Sequence, residues 1–200
     1  MDKAEFTVIS IRDYLMDKEK SPEEELVKEL SDFSCPLNPS IEQFIKKSAI
    51  EFTKKNQSVT YLIFSKRDVV LVGYFSLAIK PITVNKKKLS KTMIKKISRI
   101  SEYNEEHQTF HLAAFLIAQL GKNFKDNANK KITGQQLLEI ALEKIREVQY
   151  VIGGIVVFLE AEGNEKLYEF YRNQNNFTEF DVRKSKALKE LELVQMLKTL

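Results

Sequence analysis

A strand, a polar loop, a capped helix and a second strand follow one another after Thr109, and this order constrains the fold most. Phe115–Gly121 and Ile155–Leu159 are apolar runs of the kind that form buried strands. Thr133 and Gln136 make a Thr-x-x-Gln capping box, and apolar residues at helical spacing then continue to about Tyr150. Two neighbouring strands that are joined by such a helix need a parallel crossover. The sequence therefore predicts one parallel pair at this point.

The rest of the chain predicts strands and helices with mostly antiparallel connections. Capping patterns at Ser21 and Ser40 predict helices to about Ser31 and Lys55. Pro81 is expected to end the strand before it. Other strands are predicted at Glu5–Ile11, Val59–Phe64, Val69–Ile79, Thr109–Gln119, Asn176–Arg183 and Glu190–Leu197, and another helix at Leu89–Tyr103. The sum is an α/β fold: one domain over residues 1–200, a central mixed and mostly antiparallel sheet flanked by helices, and a Lys-rich inserted segment at about 84–103.

The helix after Ile155–Leu159 carries the most informative motif. Residues 164–177 read Asn-Glu-Lys-Leu-Tyr-Glu-Phe-Tyr-Arg-Asn-Gln-Asn-Asn-Phe, with Asn164 as a helix N-cap. This resembles the C-terminal signature of the GNAT superfamily of N-acetyltransferases, Asn-x-x-Ala-x-x-Phe-Tyr-x-x-x-Gly-Phe, whose Tyr hydroxyl points at the sulfur of acetyl-CoA. Tyr171 matches that Tyr, but Phe177 comes one residue late and Asn176 replaces Gly. An amphipathic helix with two core aromatics is the alternative.

The segment before Leu137-Leu138 resembles a second GNAT motif, Arg/Gln-x-x-Gly-x-Gly/Ala, which holds the pyrophosphate of coenzyme A. Gly134 matches the second glycine, while Ile132 replaces the first and Asn129 the Arg or Gln. A helix N-terminus attracts anions, although capping alone also explains a Gly at this place. In the family, the end of the preceding strand pairs with pantetheine through its backbone. The resemblance thus implies coenzyme-binding residues Leu120, Gly121, Lys122, Lys130, Lys131, Ile132, Thr133, Gly134, Gln135 and Asn164.

The N-terminal half carries a third, independent resemblance. Phe33-Ser34-Cys35 precedes the helix of Ile41, Phe44 and Ala49, and Val72–Leu77 reads Val-Gly-Tyr-Phe-Ser-Leu. These residues are similar to the Phe-x-Cys…Leu-x-x-Phe-Leu…Ala pattern and the Gly-Tyr-Tyr-x-Leu strand of a bacterial GNAT subgroup that includes toxin acetyltransferases. The resemblance implies a cytoplasmic bacterial enzyme that uses acetyl-CoA as acetyl donor. Its implied partners are coenzyme A, an unidentified acceptor amine, tRNA or an antitoxin protein, and a second copy in a homodimer.

Composition excludes several other classes. No apolar run approaches the roughly 20 residues of a membrane helix, and the N-terminus lacks the apolar core of a signal peptide. Cys35 is the only cysteine, so no intrachain disulfide forms, and a cytosolic protein with a buried thiol is expected. His107 and His111 lie four apart, but nothing completes a metal site. Neither a Gly-x-Ser-x-Gly elbow nor a P-loop is present.

Positive charge is concentrated in Val84–Arg99, although the net charge of the chain is only +4. The segment contains Lys86-Lys87-Lys88, Lys91, Lys95-Lys96 and Arg99. A solvated loop and helix face explains it without any ligand. Contact with an anionic partner, either RNA or a coenzyme A phosphate, is the alternative.

The resemblance assigns general acid catalysis to Tyr171, because a phenol with a pKa near 10 can protonate a departing thiolate at neutral pH. Tyr168 is the reserve candidate. Glu160 and Glu162 end a strand, but neither is assigned as a general base. Two functions therefore stay open: an acetyl-CoA-dependent N-acetyltransferase acting on a small amine, a protein or an aminoacyl-tRNA, and a non-catalytic GNAT-fold module that binds coenzyme A.

Overall fold

The structure is a computed structural model that describes residues 5–16, 22–184 and 192–200. The strands are β1 (Phe6–Ser10), β2 (Val59–Ser65), β3 (Leu71–Asn85), β4 (Glu102–Asn104), β5 (Thr109–Lys122), β6 (Val156–Glu162), β7 (Thr178–Lys184) and β8 (Glu192–Thr199). The helices are α1 (Ile11–Met16), α2 (Pro22–Ser31), α3 (Pro39–Lys47), α4 (Ala49–Lys54), α5 (Lys91–Ile97), α6 (Gly134–Ile152) and α7 (Glu165–Tyr168). None of these described helices is both long and apolar enough to span a membrane.

The described strands form one sheet of eight, in the order β1-β2-β3-β5-β6-β8-β7, with β4 paired to β5. β5 and β6 are parallel through Phe115–Ile117 and Val157–Leu159, as the crossover through α6 requires. The pairs β1–β2, β2–β3, β4–β5, β6–β8 and β7–β8 are antiparallel. The predicted α/β fold with a mixed, mostly antiparallel sheet is confirmed.

The chain groups into two compact units. The described parts of Met1–Ala78 and Ala118–Lys144 form the first, and those of Ile79–Ile117 and Ile145–Leu200 form the second. The long strands β3 and β5 and the helix α6 each contribute residues to both units.

The core of the first unit is built by helices α1 to α4 against β2 and β3. Tyr74 is fully buried at its centre, with its ring 5.2 Å from that of Phe33 and its hydroxyl donating to Ile41 O at 2.7 Å. Cys35 is 4% exposed in this core, and burial raises the pKa of its thiol. The predicted buried structural thiol is therefore confirmed, since a buried neutral thiol is inert.

The core of the second unit joins the inserted segment to the C-terminal strands. Ile97 of α5 is fully buried there with Phe110 of β5, Phe158 of β6 and Phe180 of β7. The rings of Phe158 and Phe180 meet edge to face, with centroids 6.3 Å apart. The inserted segment is thus part of a packed core.

Helix α3 begins earlier than the Ser40 capping pattern predicted. Asn38 is the N-cap, and its Oδ1 accepts from the N–H groups of Ser40 at 3.1 Å and Ile41 at 3.3 Å. Pro39 occupies the first helical position, where its fixed φ and missing N–H fit a helix start. The single helix predicted to Lys55 is also wrong, because the backbone leaves helical geometry at Ser48.

Two predictions around the insertion are corrected. β3 continues through Pro81 to Asn85. The β2–β3 pairing already ends at Leu77, so Pro81 lies in a part of β3 that β2 no longer pairs with. The helix predicted to Tyr103 ends at Ile97 instead. Tyr103 belongs to β4 because its ring packs 4.7 Å from that of Phe110, opposite it on β5. Ser21, Glu190 and Leu191 lie outside the described residues.

Candidate active-site residues

The start of α6 has the local structure that the capping box predicted. The Thr133 N–H donates to Gln136 Oε1 at 2.9 Å, and the Gln136 N–H donates to Thr133 Oγ1 at 3.1 Å. The Leu137 N–H donates to Thr133 O at 3.1 Å, so Thr133 takes two donors of the first turn. Gly134 is the first residue of the helix and carries no side chain over this end. A helix start of this kind, with no side chain on its first residue, is a geometry that suits an anion.

One of the two lysines beside the start of α6 is already paired with a carboxylate. Lys131 Nζ donates to Asp68 Oδ2 at 2.5 Å, in an ion pair between the α6 loop and the β2–β3 turn. The hydrogen bond from Lys131 lowers the pKa of the Asp68 carboxyl. Lys130 and Gln135 are exposed, whereas Ile132 is 1% exposed and its side chain belongs to the core. Only the backbone of Ile132 can contact a ligand.

The end of β5 is packed tightly by its glycine. A Cβ on Gly121 would lie 2.4 Å from Ile41 Cγ2 and 3.3 Å from Tyr74 Cε1. A Cβ on Gly73 would lie 2.8 Å from Gly121 O and 3.5 Å from Leu137 Cδ1 of α6. These contacts bring the end of β5 and the start of α6 together within the first unit. They also give Gly121 a packing role that needs no ligand.

The neighbours of Gly121 in β5 are half-buried. Leu120 and Lys122 belong to this end of the strand, and burial lowers the pKa of the Lys122 ammonium. Lys122 forms no ion pair with any described residue. A negatively charged ligand beside this partly desolvated cation would therefore bind favourably.

Asn123 fixes this strand end, and no motif identified it. Its Oδ1 accepts from the N–H groups of Ser34 at 3.0 Å and Lys125 at 3.1 Å. Its Nδ2 donates to Leu71 O at 2.9 Å, and its own N–H donates to Val72 O at 2.9 Å. The side chain is 5% exposed. Its position directly after a predicted buried strand is the only sequence signal that points to it.

The second unit holds the other two candidates, Asn164 and Tyr171, around α7. Asn164 Oδ1 accepts from the Leu167 N–H at 3.0 Å, so the predicted N-cap is confirmed. The extra residue before Phe177 is absorbed by a π-helical turn at Glu169–Gln174. Wider turns of this kind are frequent at functional sites.

Two asparagines close the π-helical turn. Asn175 is 4% exposed, and its Nδ2 donates to Phe170 O at 2.8 Å. Asn176 has φ 57°, the left-handed conformation that Gly usually adopts and that Asn tolerates. Its N–H donates to Arg172 O at 3.1 Å. The chain therefore leaves the helix as the resemblance predicted, one residue later.

Tyr171 is the one buried residue of this turn. It is 9% exposed, and its ring lies edge to face with those of Phe170 at 4.9 Å and Phe177 at 5.8 Å. Burial raises the pKa of the Tyr171 phenol to about 12. The phenol is therefore protonated at neutral pH. Tyr168 is half-buried on the same helix.

The two carboxylates at the end of β6 both have partners. Arg183 donates to both oxygens of Glu160 through two nitrogens, and this bond raises the pKa of Arg183. Gln195 Nε2 also donates to Glu160 Oε1, at 2.7 Å. Glu162 is likewise engaged by another group.

The two histidines do not form a metal site. His111 Nδ1 lies 2.9 Å from Thr83 Oγ1, and its Nε2 lies 3.3 Å from Thr109 Oγ1, both on the surface of the sheet. Within residues 5–16, 22–184 and 192–200, no three His, Cys, Asp or Glu side chains are grouped to hold a metal ion.

Comparison with solved structures shows whose fold this is. AtaT complexed with acetyl-methionyl-tRNAfMet matches with a TM-score of 0.63 at 16% identity, over 98% of this chain and 95% of that one. A Tyr-to-Phe mutant of KacT matches with a TM-score of 0.63 at 18% identity, over 98% of this chain and 95% of that one. A mutant AtaT toxin bound to the C-terminus of the antitoxin AtaR and to acetyl-CoA matches with a TM-score of 0.57 at 13% identity. The match covers 98% of this chain and 93% of that one.

Sequence comparison adds no relative. No family model matches the chain. No curated protein matches it either. At identities below 20%, the structural matches establish the fold. The chain has the GNAT fold that its three sequence resemblances predicted.

Proposed function

We propose that the protein is an acetyl-CoA-dependent N-acetyltransferase that uses Tyr171 as general acid. The observation that carries the proposal is a buried phenol, held on a π-helical turn at the position that the GNAT signature gives to its catalytic tyrosine. The acceptor nitrogen attacks the thioester carbonyl, the C–S bond breaks, and the departing thiolate takes the phenolic proton. The acylated nitrogen loses its extra proton to water, which passes a proton to the Tyr171 phenolate and restores the phenol.

The coenzyme is assigned to the first unit by the chemistry of its residues. The open backbone at Gly134 and the dipole of the 19-residue helix α6 suit the pyrophosphate. Lys130 adds an exposed cation, and the uncompensated Lys122 adds a half-buried one. Main-chain groups of Leu120, Gly121 and Lys122 are assigned to pantetheine.

We further propose that the acceptor is an α-amino group, that of an aminoacyl-tRNA. Glu160 is held by Arg183 and Gln195, and Glu162 also has a partner, so we assign no general base at the end of β6. At pH 7 roughly a tenth of an α-amino group is already neutral, against fewer than about one in a thousand lysine side chains. An α-amine can therefore react without a base. AtaT, which shares the fold, has been seen with acetyl-methionyl-tRNAfMet.

Tyr171→Phe tests the proposal because it removes the proton donor and keeps the ring. Turnover is measured as thiol release from acetyl-CoA, with methionyl-tRNA and with methionine methyl ester as acceptors. We expect kcat to fall at least tenfold, within the roughly 10²- to 10⁴-fold range of general acid catalysis, and acetyl-CoA affinity to stay within twofold. Tyr168→Phe is the matched control and should change kcat less than twofold.

Four results would contradict parts of the proposal. Equal turnover of wild type and Tyr171→Phe removes the general acid role, and a loss confined to Tyr168→Phe moves that role to Tyr168. Turnover with the ester alone would keep the enzyme and remove the tRNA acceptor. Tight acetyl-CoA binding without turnover of any acceptor would favour the non-catalytic module, in line with Ile132 and Asn129 in the pyrophosphate motif.

A further inference from the structure

The inserted segment between β3 and β4 presents a row of cations that the proposed chemistry does not use. Lys86–Lys88 form a 3₁₀ turn capped by Asn85, whose Oδ1 accepts from the Lys87 N–H at 2.9 Å. Ser90 caps α5 by accepting from the Met93 N–H at 3.2 Å. Both parts of the segment therefore have a fixed backbone. The exposed cations on it are Lys87, Lys88, Lys91, Lys95 and Arg99, called here the lysine surface.

Packing determines which face of the segment meets solvent. Ile97 is fully buried, and Met93 and Ile94 pack partly buried against the same core cluster as Leu89. The apolar stripe of α5 is thus consumed by the core of the second unit. Because no apolar stripe is left on the outer side of α5, the segment does not match an amphipathic helix that lies in a membrane surface.

Two other cations of the segment serve the fold. Lys86 Nζ lies 5.2 Å from the centroid of the Tyr103 ring, within cation–π range. Lys96 Nζ donates to Thr199 Oγ1 and to Leu200 O, both at 3.4 Å. The residues of the lysine surface form no ion pair within the described part of the chain. Lys86 and Lys96 therefore serve the fold, whereas the cations of the lysine surface do not.

Two arrangements of these charges are unfavourable for α5, although the place of Lys95 in its last turn suits the helix dipole. α5 has no acidic residue in its first turn, and Lys91 begins it, where the dipole favours an anion. Lys91 and Lys95 are four residues apart, so two like charges share one face. Each arrangement costs a few tenths of a kcal/mol. A polyanion bound to this face would remove both costs.

We infer that the lysine surface binds the phosphate backbone of the tRNA acceptor, a role that rests on the proposed function. α5 alone is about 10 Å long, and the 3₁₀ turn extends it, so the cations span more than one backbone phosphate. A single pyrophosphate engages only one end of such a row. Phosphate contacts position a nucleic acid without reading its sequence, which suits flexible, exposed lysines.

The test compares two triple variants of the full chain. Lys88→Gln/Lys91→Gln/Lys95→Gln removes three charges from the lysine surface. Lys28→Gln/Lys47→Gln/Lys66→Gln is the matched control and removes three exposed charges from the first unit. Binding of deacylated total tRNA, which carries no amino acid, is measured by fluorescence anisotropy between about 50 and about 300 mM salt. Turnover is measured with methionyl-tRNA and with methionine methyl ester.

We expect the first variant to lose at least tenfold in tRNA affinity and its salt slope to fall by about 2 to 3, close to 0.9 per lost phosphate contact. KM for methionyl-tRNA should rise by a similar factor, while turnover of the ester and acetyl-CoA affinity stay unchanged. The control should match wild type. These readouts separate RNA contact from a folding defect.

Equal affinity and equal salt slope of the two triple variants would overturn the assignment and leave the acetyltransferase intact. Wild type that binds no tRNA yet acetylates the ester would remove the tRNA acceptor and this surface together. Loss of ester turnover in wild type would instead be a failure of the proposed function.

Discussion

At the scale of single residues, the decisive property is the protonation of Tyr171. Its ring neighbours Phe170 and Phe177 carry no charge, so burial is what raises the pKa of the phenol. A general acid has to be protonated when the leaving group departs, and a pKa of about 12 keeps Tyr171 protonated at physiological pH. The same burial makes ionisation unfavourable for the fold.

In the Tyr171→Phe variant, the free energy of unfolding should therefore decrease less at alkaline pH than it does in wild type. The folded-state pKa of about 12 lies above the usual value near 10, so ionisation favours the unfolded chain. Its contribution is complete below pH 10 and is lost as pH rises toward 12, by about 2 to 3 kcal/mol. Denaturant unfolding from pH 8 to 11.5 should show a shallower fall for Tyr171→Phe than for wild type.

Tyr150→Phe is the control for this measurement, because that ring is 93% exposed. Its stability curve should run parallel to wild type. Burial also raises the pKa of Tyr74, which is common to all three proteins and cancels in the comparison. Parallel curves for Tyr171→Phe and wild type would show that the phenol is not buried as described.

At the scale of elements, two short segments present the candidate groups: the π-helical turn of Glu169–Gln174 and the first turn of α6. A π-helical turn is a rare and wide backbone geometry, and Asn175 Nδ2 supports it by donating to Phe170 O. The first turn of α6 depends on Thr133 in the same way, through its reciprocal bonds with Gln136. In both, a local side chain stabilises an otherwise unfavourable backbone.

Asn175→Ala should destabilise the protein by about 1 to 3 kcal/mol, because it removes the hydrogen bond that this 4% exposed side chain donates to Phe170 O. The loosened turn should also lower kcat, with KM for acetyl-CoA little changed. Asn173→Ala in the same turn is the control, since Asn173 is exposed and bonds only to Glu169. It should cost less than about 0.5 kcal/mol. Similar losses for both variants would show that the turn does not depend on Asn175.

Gly134→Asp separates capping from coenzyme binding at α6. A carboxylate in the first turn suits the helix dipole, so stability should stay the same or rise by a few tenths of a kcal/mol. Acetyl-CoA affinity should fall at least a hundredfold, because that carboxylate repels the pyrophosphate. Thr133→Ala is the converse, with a loss of about 1 kcal/mol in stability. Calorimetry that finds wild-type affinity in folded Gly134→Asp would remove the pyrophosphate from this helix.

At the scale of the whole molecule, local signals predicted the order of elements well. The capping box at Thr133, the N-cap at Asn164 and the left-handed Asn176 are each set by residues within four positions. The parallel pairing of β5 with β6 follows from the helix between them. Errors occurred where tertiary packing decides, as at Ser48, where one predicted helix is two, and at Pro81, where a strand continues.

Long-range contacts at the candidate site could not be predicted. Asn123 bonds to Ser34 across 89 positions, and Lys131 pairs with Asp68 across 63. Such contacts leave no periodicity or motif in a single sequence. They still affect the candidate site, because Asp68 partly neutralises the positive charge of Lys131, which the sequence assigned to the coenzyme alone. Gly121 is a similar case, since its neighbour Ile41 lies 80 positions earlier and on another element.

Gly121→Ala tests whether this glycine is needed for packing. The new methyl would lie 2.4 Å from Ile41 Cγ2, so we expect a loss of about 1 to 3 kcal/mol in stability. Ile41→Ala removes that methyl group, and the double variant should be more stable than the sum of the single losses by at least about 0.5 kcal/mol. Denaturant unfolding of all four proteins gives this coupling. Acetyl-CoA affinity of the double variant should remain near wild type, because pantetheine is assigned to main-chain groups. Additive losses would show that Ile41 is not what restricts position 121, and loss of coenzyme binding in a stable double variant would give Gly121 a role in ligand approach.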